Sequence, residues 1–132
     1  MDGITLDEAW VKGPRAYRMT AIPGFPNLFT VLGPNSPTGS IPLQYSAERT
    51  ASYIVAWLKR FADGELSEVE VTEEATDDFN AAVADALGPT VWNTGCNSWY
   101  LTEAGTIDLW PFDRATLTRM LSTPEPAHYR IR

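Results

Sequence analysis

The segment GFPNLFTVLGPNSPTGS, residues 24–40, decides the fold that this sequence predicts. Its centre, LFTVL at 28–32, is apolar apart from Thr30, which is typical of a strand covered on both faces in a parallel sheet. A stretch rich in Gly, Pro, Asn and Ser follows over residues 33–40. We therefore expect a buried strand that ends in a binding loop of the kind found in α/β proteins.

A long amphipathic helix is predicted directly after this loop, from about residue 42 to 62. Pro42 suits the first helical turn, and Asp63-Gly64 ends the helix with a glycine that can take the left-handed conformation. Strand, loop and helix would form one βα unit, 28–62, with its parallel neighbours lying elsewhere. Residues three and four apart are expected to line the buried face of the helix: Leu43, Ala47, Ala51, Ile54, Leu58 and Phe61.

Three further elements are predicted between residues 72 and 121. A helix over about 73–87 has Thr72 as its N-cap and a solvent-facing acidic first turn. A hairpin follows with Gly105 at the positive-φ position of its turn, and Asp113 caps a last short helix that ends at Leu121. The buried stripe of the 73–87 helix is expected to contain Phe79, Ala82, Val83, Ala86 and Leu87.

The flanking stretches carry weaker signals. Residues 6–11 are expected to form a short strand or turn, and residues 68–71 an extended connector. The tail, PAHYRIR, alternates only weakly between apolar and polar residues.

Composition bounds the class of protein. The 132 residues fit one domain of ordinary globular composition, with 44% hydrophobic and 20% charged residues. The formal charge is −7 and the basic residues are scattered, which excludes nucleic acid and anionic membrane surfaces as partners. The N-terminus does not resemble a signal peptide, and no apolar run is long enough to span a bilayer. We therefore expect a cytoplasmic protein.

The sequence offers little to an independent catalytic site. One cysteine, Cys96, and one histidine, His128, provide neither a disulfide nor a metal-ligand cluster, and they lie far apart in sequence. A G-x-S-x-G turn, a G-x-G-x-x-G motif and a phosphate-binding G-x-x-x-x-G-K-[ST] loop are all absent from the sequence. Neither nucleophilic catalysis nor independent nucleotide binding is therefore predicted.

The start of the long helix is the strongest candidate for a binding site. The amides of Leu43 and Gln44 have no acceptor within the helix, and the helix dipole places partial positive charge there. An electron-rich oxygen or a delocalised anion could dock at these amides. The alternative is a plain, capped strand-to-helix connection.

The five tryptophans also leave two interpretations open. They could build a Trp-rich core, or some of the rings could face a partner surface.

Several motifs resemble one family. GPRAY (13–17), PGFPNLFTVLGPNSPTGS (23–40) and SAERTASYI (46–54) are similar to the C-terminal part of flavin-dependent monooxygenases of the Baeyer–Villiger and flavin-containing types. CNSWY (96–100) and the following G…LWP (105–111) resemble the end of the same proteins, so the likeness covers nearly the whole chain.

The resemblance implies an α/β fold in which residues 1–132 are a single segment, the C-terminal portion of the monooxygenase. Residues 28–62 would close a Rossmann-like FAD-binding domain, and residues 72–121 would add the second helix, the hairpin and the short helix. FAD and NADPH are the implied cofactors, and both need N-terminal domains. No Arg of this sequence matches the family's catalytic arginine, so no catalytic residue is assigned.

The resemblance also implies site residues. Gly33, Pro34, Asn35 and the amide of Leu43 would contact FAD. The substrate pocket would be bordered by Thr38, Gly39 and Ser40. Trp99 would contact the nicotinamide cofactor, although TEAGT after it departs from the family's longer loop and leaves a packed hairpin Trp as the alternative.

The implied function is that of the closing piece of an FAD- and NADPH-dependent monooxygenase. Such an enzyme inserts one oxygen atom from O2 into a small organic substrate, a ketone or an amine or other soft heteroatom. The remainder of the flavoprotein would be the partner, and the piece alone would be inactive. The alternatives are a non-enzymatic, partner-binding module derived from such a tail, and self-association into a homo-oligomer through exposed edges.

Overall fold

The computed structural model describes residues 3–90 and 99–132, which form an α/β arrangement of four α-helices and one two-stranded antiparallel sheet. None of the helices in these two ranges is long and apolar enough to cross a membrane. In chain order the elements are α1 (Leu6–Ala9), α2 (Leu43–Ala62), β1 (Val69–Val71), α3 (Glu73–Leu87), α4 (Arg114–Met120) and β2 (Tyr129–Ile131), with a 3-10 turn at Pro126–His128.

Helix α2 has the predicted length but not the predicted buried face. Its fully buried residues are Ser46, Thr50, Tyr53 and Trp57, three and four positions apart. Leu43 and Leu58, both expected in the core, are instead 54% and 51% exposed. The prediction was wrong because α2 has two adjacent faces able to pack, and this chain's core covers only the face that carries the large aromatic rings.

The strand predicted over residues 28–32 does not form. Phe29 makes a single antiparallel bridge to Ala21, and the amide of Thr30 donates to the carbonyl of Thr20 at 2.8 Å. Left-handed φ values at Asn27 (61°) and Leu32 (57°) bend the backbone away from a strand at both ends. Within the described residues the segment therefore has no continuous partner strand, and Leu28 and Val31 are 42% and 53% exposed.

The two strands of the sheet come from the middle and the C-terminal end of the chain. Strand β1 pairs antiparallel with β2, so that Val69 faces Ile131 and Val71 faces Tyr129. The predicted connector over 68–71 is thus a strand. The stretch 6–11, expected as a strand or turn, is instead the short helix α1, which begins at a capping box between Thr5 and Glu8.

Helices α3 and α4 begin where their caps predict. The hydroxyl of Thr72 accepts from the amide of Ala75 at 3.2 Å, and the carboxylate of Asp113 accepts from the amide of Thr116 at 2.7 Å. In the α3 stripe Phe79, Val83 and Leu87 are buried as predicted, whereas Ala82 is exposed and Ala86 half-buried.

The acidic start of α3 is not simply solvated. Glu73 and Asp77 both accept hydrogen bonds from the guanidinium of Arg15, which ties the N-terminal segment to this helix. The long sequence separation explains why the pattern could not predict this contact.

Aromatic residues dominate the core. The ring of Trp57 lies 4.7 Å from that of Tyr129, and Tyr17 lies 5.8 Å from both Tyr129 and Phe79, measured between ring centroids. Trp57 and Trp110 are buried, which confirms a tryptophan-containing core, whereas Trp99 is 77% exposed. The core interpretation is therefore confirmed for Trp57 and Trp110, and a partner surface at the exposed Trp99 stays a prediction.

Candidate functional site

The start of α2 is open, as the sequence predicted. Pro42 is its N-cap and supplies no side-chain cap, while the first intrahelical acceptor, the Pro42 carbonyl, is used by the amides of Tyr45 and Ser46. The amides of Leu43 and Gln44 have no acceptor in the described parts of the chain, and both residues are exposed. The alternative, a strand-to-helix connection with a side-chain cap, is therefore not observed at Pro42.

Positive charge lies beside this helix start. The guanidinium carbon of Arg114 lies 4.0 Å from the centroid of the Tyr45 ring in the first turn of α2, and that of Arg49 lies 5.6 Å away. The Tyr45 hydroxyl is 2.5 Å from Oγ1 of Thr118, and this hydrogen bond, helped by Arg114, lowers the pKa of Tyr45. The charge of Arg114 adds to the helix dipole and favours a ligand with negative charge, whereas Arg49 lies 3.5 Å from the carboxylate of Glu48.

Gly33, the first predicted FAD contact, is required by packing within the chain. A Cβ atom at this position would lie 2.2 Å from Oγ1 of Thr30 and 2.5 Å from the carbonyl oxygen of Met19. Its amide also donates to that carbonyl at 3.0 Å. The glycine therefore holds the loop against residues 19–30, whether or not a ligand approaches its other side.

Asn35 lies at the centre of the loop in a left-handed conformation, with φ 68°. Its backbone amide donates to Oδ1 of Asp108 at 2.5 Å, and its Nδ2 donates to the carbonyl of Leu109 at 3.4 Å. The side-chain Oδ1 is buried without a partner among the described residues. Both nitrogen atoms of Asn35 thus bind the hairpin, and its side-chain oxygen is enclosed by protein.

The predicted substrate-pocket residues form the approach to α2. The hydroxyl of Thr38 donates to the carbonyl of Ile41 at 2.5 Å and accepts from its amide, which makes a compact turn before the helix. Gly39 and Ser40 are exposed, and Pro34 is buried. The surface between loop and helix start is thus formed by residues 39–44.

Trp99 is not packed inside the hairpin. Its ring is exposed and makes an edge contact with Tyr100 at 5.9 Å. The hairpin itself is confirmed: Leu101 bridges Ile107, and Gly105 has φ 80° in the turn. The exposed ring is free to meet a ligand or another polypeptide. Cys96 and its neighbours in CNSWY, up to residue 98, lie outside the described residues.

A cavity of about 760 Å³ borders Asn35. Its walls come from the segment before Arg15, from α3 and from the hairpin turn, whereas none of residues 38–44 lines it. The cavity and the open helix start are therefore separate features. In the described ranges no group of His, Cys, Asp and Glu side chains could hold a metal ion.

Sequence reasoning missed the role of Asp108. Nothing local in the sequence predicted that this carboxylate faces a loop 73 residues earlier. The arginine pair around Tyr45 was missed for the same reason.

Sequence comparison identifies relatives of known class. An uncharacterized monooxygenase of Mycobacterium tuberculosis is 45% identical over 131 residues, which cover 99% of this chain and 26% of the relative. A Baeyer-Villiger monooxygenase of Pseudomonas aeruginosa is 37% identical over 113 residues, which cover 83% of this chain and 21% of that protein. The chain thus spans about a quarter of the length of the relatives it matches. No protein-family model matches it.

Structural comparison agrees with the sequence relationship. The closed crystal structure of cyclohexanone monooxygenase superposes with a TM-score of 0.86 at 19% identity, over 99% of this chain and 26% of that one. The crystal structure of the OTEMO complex with FAD and NADP gives a TM-score of 0.79 at 19% identity, again over 99% of this chain and 26% of the other. At these identities the likeness concerns the fold.

The sequence relatives confirm the resemblance: the chain is homologous to one portion of the FAD-binding monooxygenases. Within that class its named relatives include Baeyer–Villiger monooxygenases.

Proposed function

We propose that this chain is the C-terminal piece of an FAD- and NADPH-dependent monooxygenase that transfers one oxygen atom from O2 to a small organic substrate, a ketone or a soft heteroatom compound. The uncapped start of α2 is the observation that carries the proposal. Its free Leu43 and Gln44 amides, with Arg114 nearby, suit the electron-rich edge of a reduced flavin ring. The alternative of a non-enzymatic module gains no support from the relatives.

The residues present fit a supporting role toward the cofactor. The chemistry that FAD supplies when bound is acceptance of hydride from NADPH and activation of O2. This chain's own share is electrostatic: the amides at the start of α2 stabilise negative charge, and Gly39 and Ser40 bound the space where substrate would enter. Gly33, Pro34 and Asn35 form the loop beside the ring, and exposed Trp99 is the proposed contact to the nicotinamide.

The proposal includes a partner for the second apolar face of α2. Leu43, Val55 and Leu58 are each more than two-fifths exposed, and so are Leu28 and Val31 in the stretch predicted as a strand. Apolar surface of this kind marks a contact. We assign it to the sheet of the Rossmann-like FAD domain, because the relatives are about four times as long as this chain.

A pair of substitutions at one position tests the helix start. Leu43→Pro removes the amide without breaking the helix, since proline suits the first helical turn and the extended ψ of 134° at Pro42 tolerates a following proline. Leu43→Ala removes the same side chain and keeps the amide. Each variant would be combined with the portion of the M. tuberculosis relative that this chain does not match, and the flavin reduction potential measured.

We expect the Leu43→Pro complex to have a lower flavin potential than the Leu43→Ala complex, because the reduced, negatively charged flavin loses one hydrogen-bond donor. Equal potentials in the two complexes would contradict the proposed role of the amide. A combination of polypeptides that never retains FAD would contradict the proposed function as a whole.

A second pair of substitutions tests the second apolar face of α2. Leu58→Glu places a charge on the exposed apolar face of α2, and Lys59→Glu places the same charge at the neighbouring exposed position. We expect only Leu58→Glu to abolish association with the partner polypeptide in analytical ultracentrifugation. Association of the unmodified chain with itself instead would favour a homo-oligomer through this face.

A further inference from the structure

One carboxylate joins the loop and the hairpin. Oδ1 of Asp108 accepts the backbone amide of Asn35 at 2.5 Å. Asn35 is one of few non-glycine residues in the described chain with a left-handed φ, a conformation that needs support from its surroundings. The amide that Asp108 holds is therefore the one on which the shape of the loop depends.

Two more hydrogen bonds connect the same loop and hairpin. The amide of Trp110 donates to the carbonyl of Pro37 at 2.8 Å, and Nδ2 of Asn35 donates to the carbonyl of Leu109. The backbone of residues 108–110 thus follows the loop over 35–37. The carboxylate of Asp108 is the only side chain of the hairpin strand in this set of contacts.

The backbone of Asp108 faces the other arm of the hairpin. Its amide donates to the carbonyl of Tyr100 at 2.7 Å, next to the exposed Trp99. Leu101 and Ile107 form the adjacent bridge. Asp108 therefore contacts the loop through its side chain and the arm that carries Trp99 through its main chain.

We propose that Asp108 is a positioning residue that sets the loop at 33–37 and the arm bearing Trp99 in register with each other. This inference rests on the proposed function only in that the two segments would face FAD and the nicotinamide; the link between them is a property of the chain itself. A displacement of one segment is transmitted to the other through this side chain and the two hydrogen bonds beside it.

The test compares three variants of the 132-residue chain by NMR-detected amide hydrogen exchange. Asp108→Ala removes the acceptor, whereas Asp108→Asn removes the charge and keeps an oxygen that can accept. Asp113→Ala is the matched control, because Asp113 also accepts a backbone amide, that of Thr116 at the start of α4. The readouts are the amides of Asn35 and Trp110, with those of α2 as an internal reference.

In Asp108→Ala we expect the Asn35 amide to exchange at least about tenfold faster, because a hydrogen bond to a charged acceptor is lost. The Trp110 amide should also exchange faster, and α2 should be unchanged. Asp108→Asn should restore most of the protection, and Asp113→Ala should affect only α4. Unchanged exchange at Asn35 in Asp108→Ala, or no rescue by Asp108→Asn, would overturn the proposal.

The same variants separate this inference from the proposed function. In the complex with the partner polypeptide, Asp108→Ala should release FAD faster than Asp108→Asn. If no complex retains FAD while exchange at Asn35 responds as expected, the proposed function fails and the positioning role stands.

Discussion

The phenolic oxygens of Tyr53 and Tyr129 lie 2.8 Å apart in the core, although the two residues are 76 positions apart in sequence. Tyr53 lies in the middle of α2 and Tyr129 begins β2, so this hydrogen bond fastens the C-terminal strand to the long helix. Trp57, one turn after Tyr53, packs its ring on Tyr129. The tail is therefore an integral part of the core.

Replacement of Tyr129 by Phe should destabilise the chain by about 1–3 kcal/mol, because the buried hydroxyl of Tyr53 loses its partner. The double variant Tyr53→Phe/Tyr129→Phe should recover part of this loss, since neither polar group is then left unpaired. Urea unfolding followed by far-UV circular dichroism measures both. A double variant whose loss equals the sum of the two single losses would show that the hydroxyls do not interact.

Stability should fall at alkaline pH. Burial raises the pKa of Tyr17, Tyr53 and Tyr129 above the usual value of a tyrosine. Above about pH 10 the unfolded chain loses these phenolic protons while the folded chain keeps them, so folding is progressively disfavoured. Each tyrosine contributes a slope of about 1.4 kcal/mol per pH unit.

Urea unfolding between neutral pH and pH values above this threshold measures the effect. The Tyr129→Phe variant should show a shallower decline than the unmodified chain, because one of the three titrating groups is gone. A stability that is independent of pH in this range would contradict the burial of all three phenols.

Gly33→Ala should be strongly destabilising, by about 1–3 kcal/mol or more, because the added methyl group would overlap Thr30 and the Met19 carbonyl. Gly88→Ala is the matched control: this glycine has φ −50°, and its Cβ would lie at an ordinary 3.4 Å from the nearest atom, the carbonyl oxygen of Asp85. Thermal unfolding of both variants distinguishes them. Equal melting temperatures would mean that the loop can move away from residues 19–30.

Adjacent residues of α2 should respond in opposite ways to truncation. Trp57 is fully buried, so Trp57→Ala should cost about 3–5 kcal/mol. Leu58 is half-exposed, so Leu58→Ala in the isolated chain should stay within about 0.5 kcal/mol. Chemical denaturation measures both. A large loss for Leu58→Ala would mean that the second face of α2 is already covered in the chain alone.

Local signals predicted the helices well. The bounds of α2 and α3, their glycine stops, and the caps Thr72 and Asp113 were all confirmed, because capping and helical periodicity act within a few residues. The turn at Gly105 was predicted for the same reason. The strand at 28–32 was wrong because a strand needs a partner, and the described residues supply only one bridge at Phe29.

The candidate site was predicted in part. The free amides at the start of α2 follow from the absence of a capping side chain at Pro42, which is visible in the sequence. The engagement of Asn35 by Asp108, and the exposure of Trp99, depend on how the hairpin lies against the loop. No sequence pattern predicts how these two distant segments pack against each other.

The amino-acid order alone settled where α2, α3 and α4 begin, the open entrance to α2 and the family to which the motifs point. Only the folded chain decided which face of α2 is buried, that β1 pairs with the tail, and that Asp108 reaches Asn35. The physical reason is the separation along the sequence of the residues that interact. Caps and turns are satisfied by neighbours along the backbone, whereas burial and pairing depend on which distant surfaces meet.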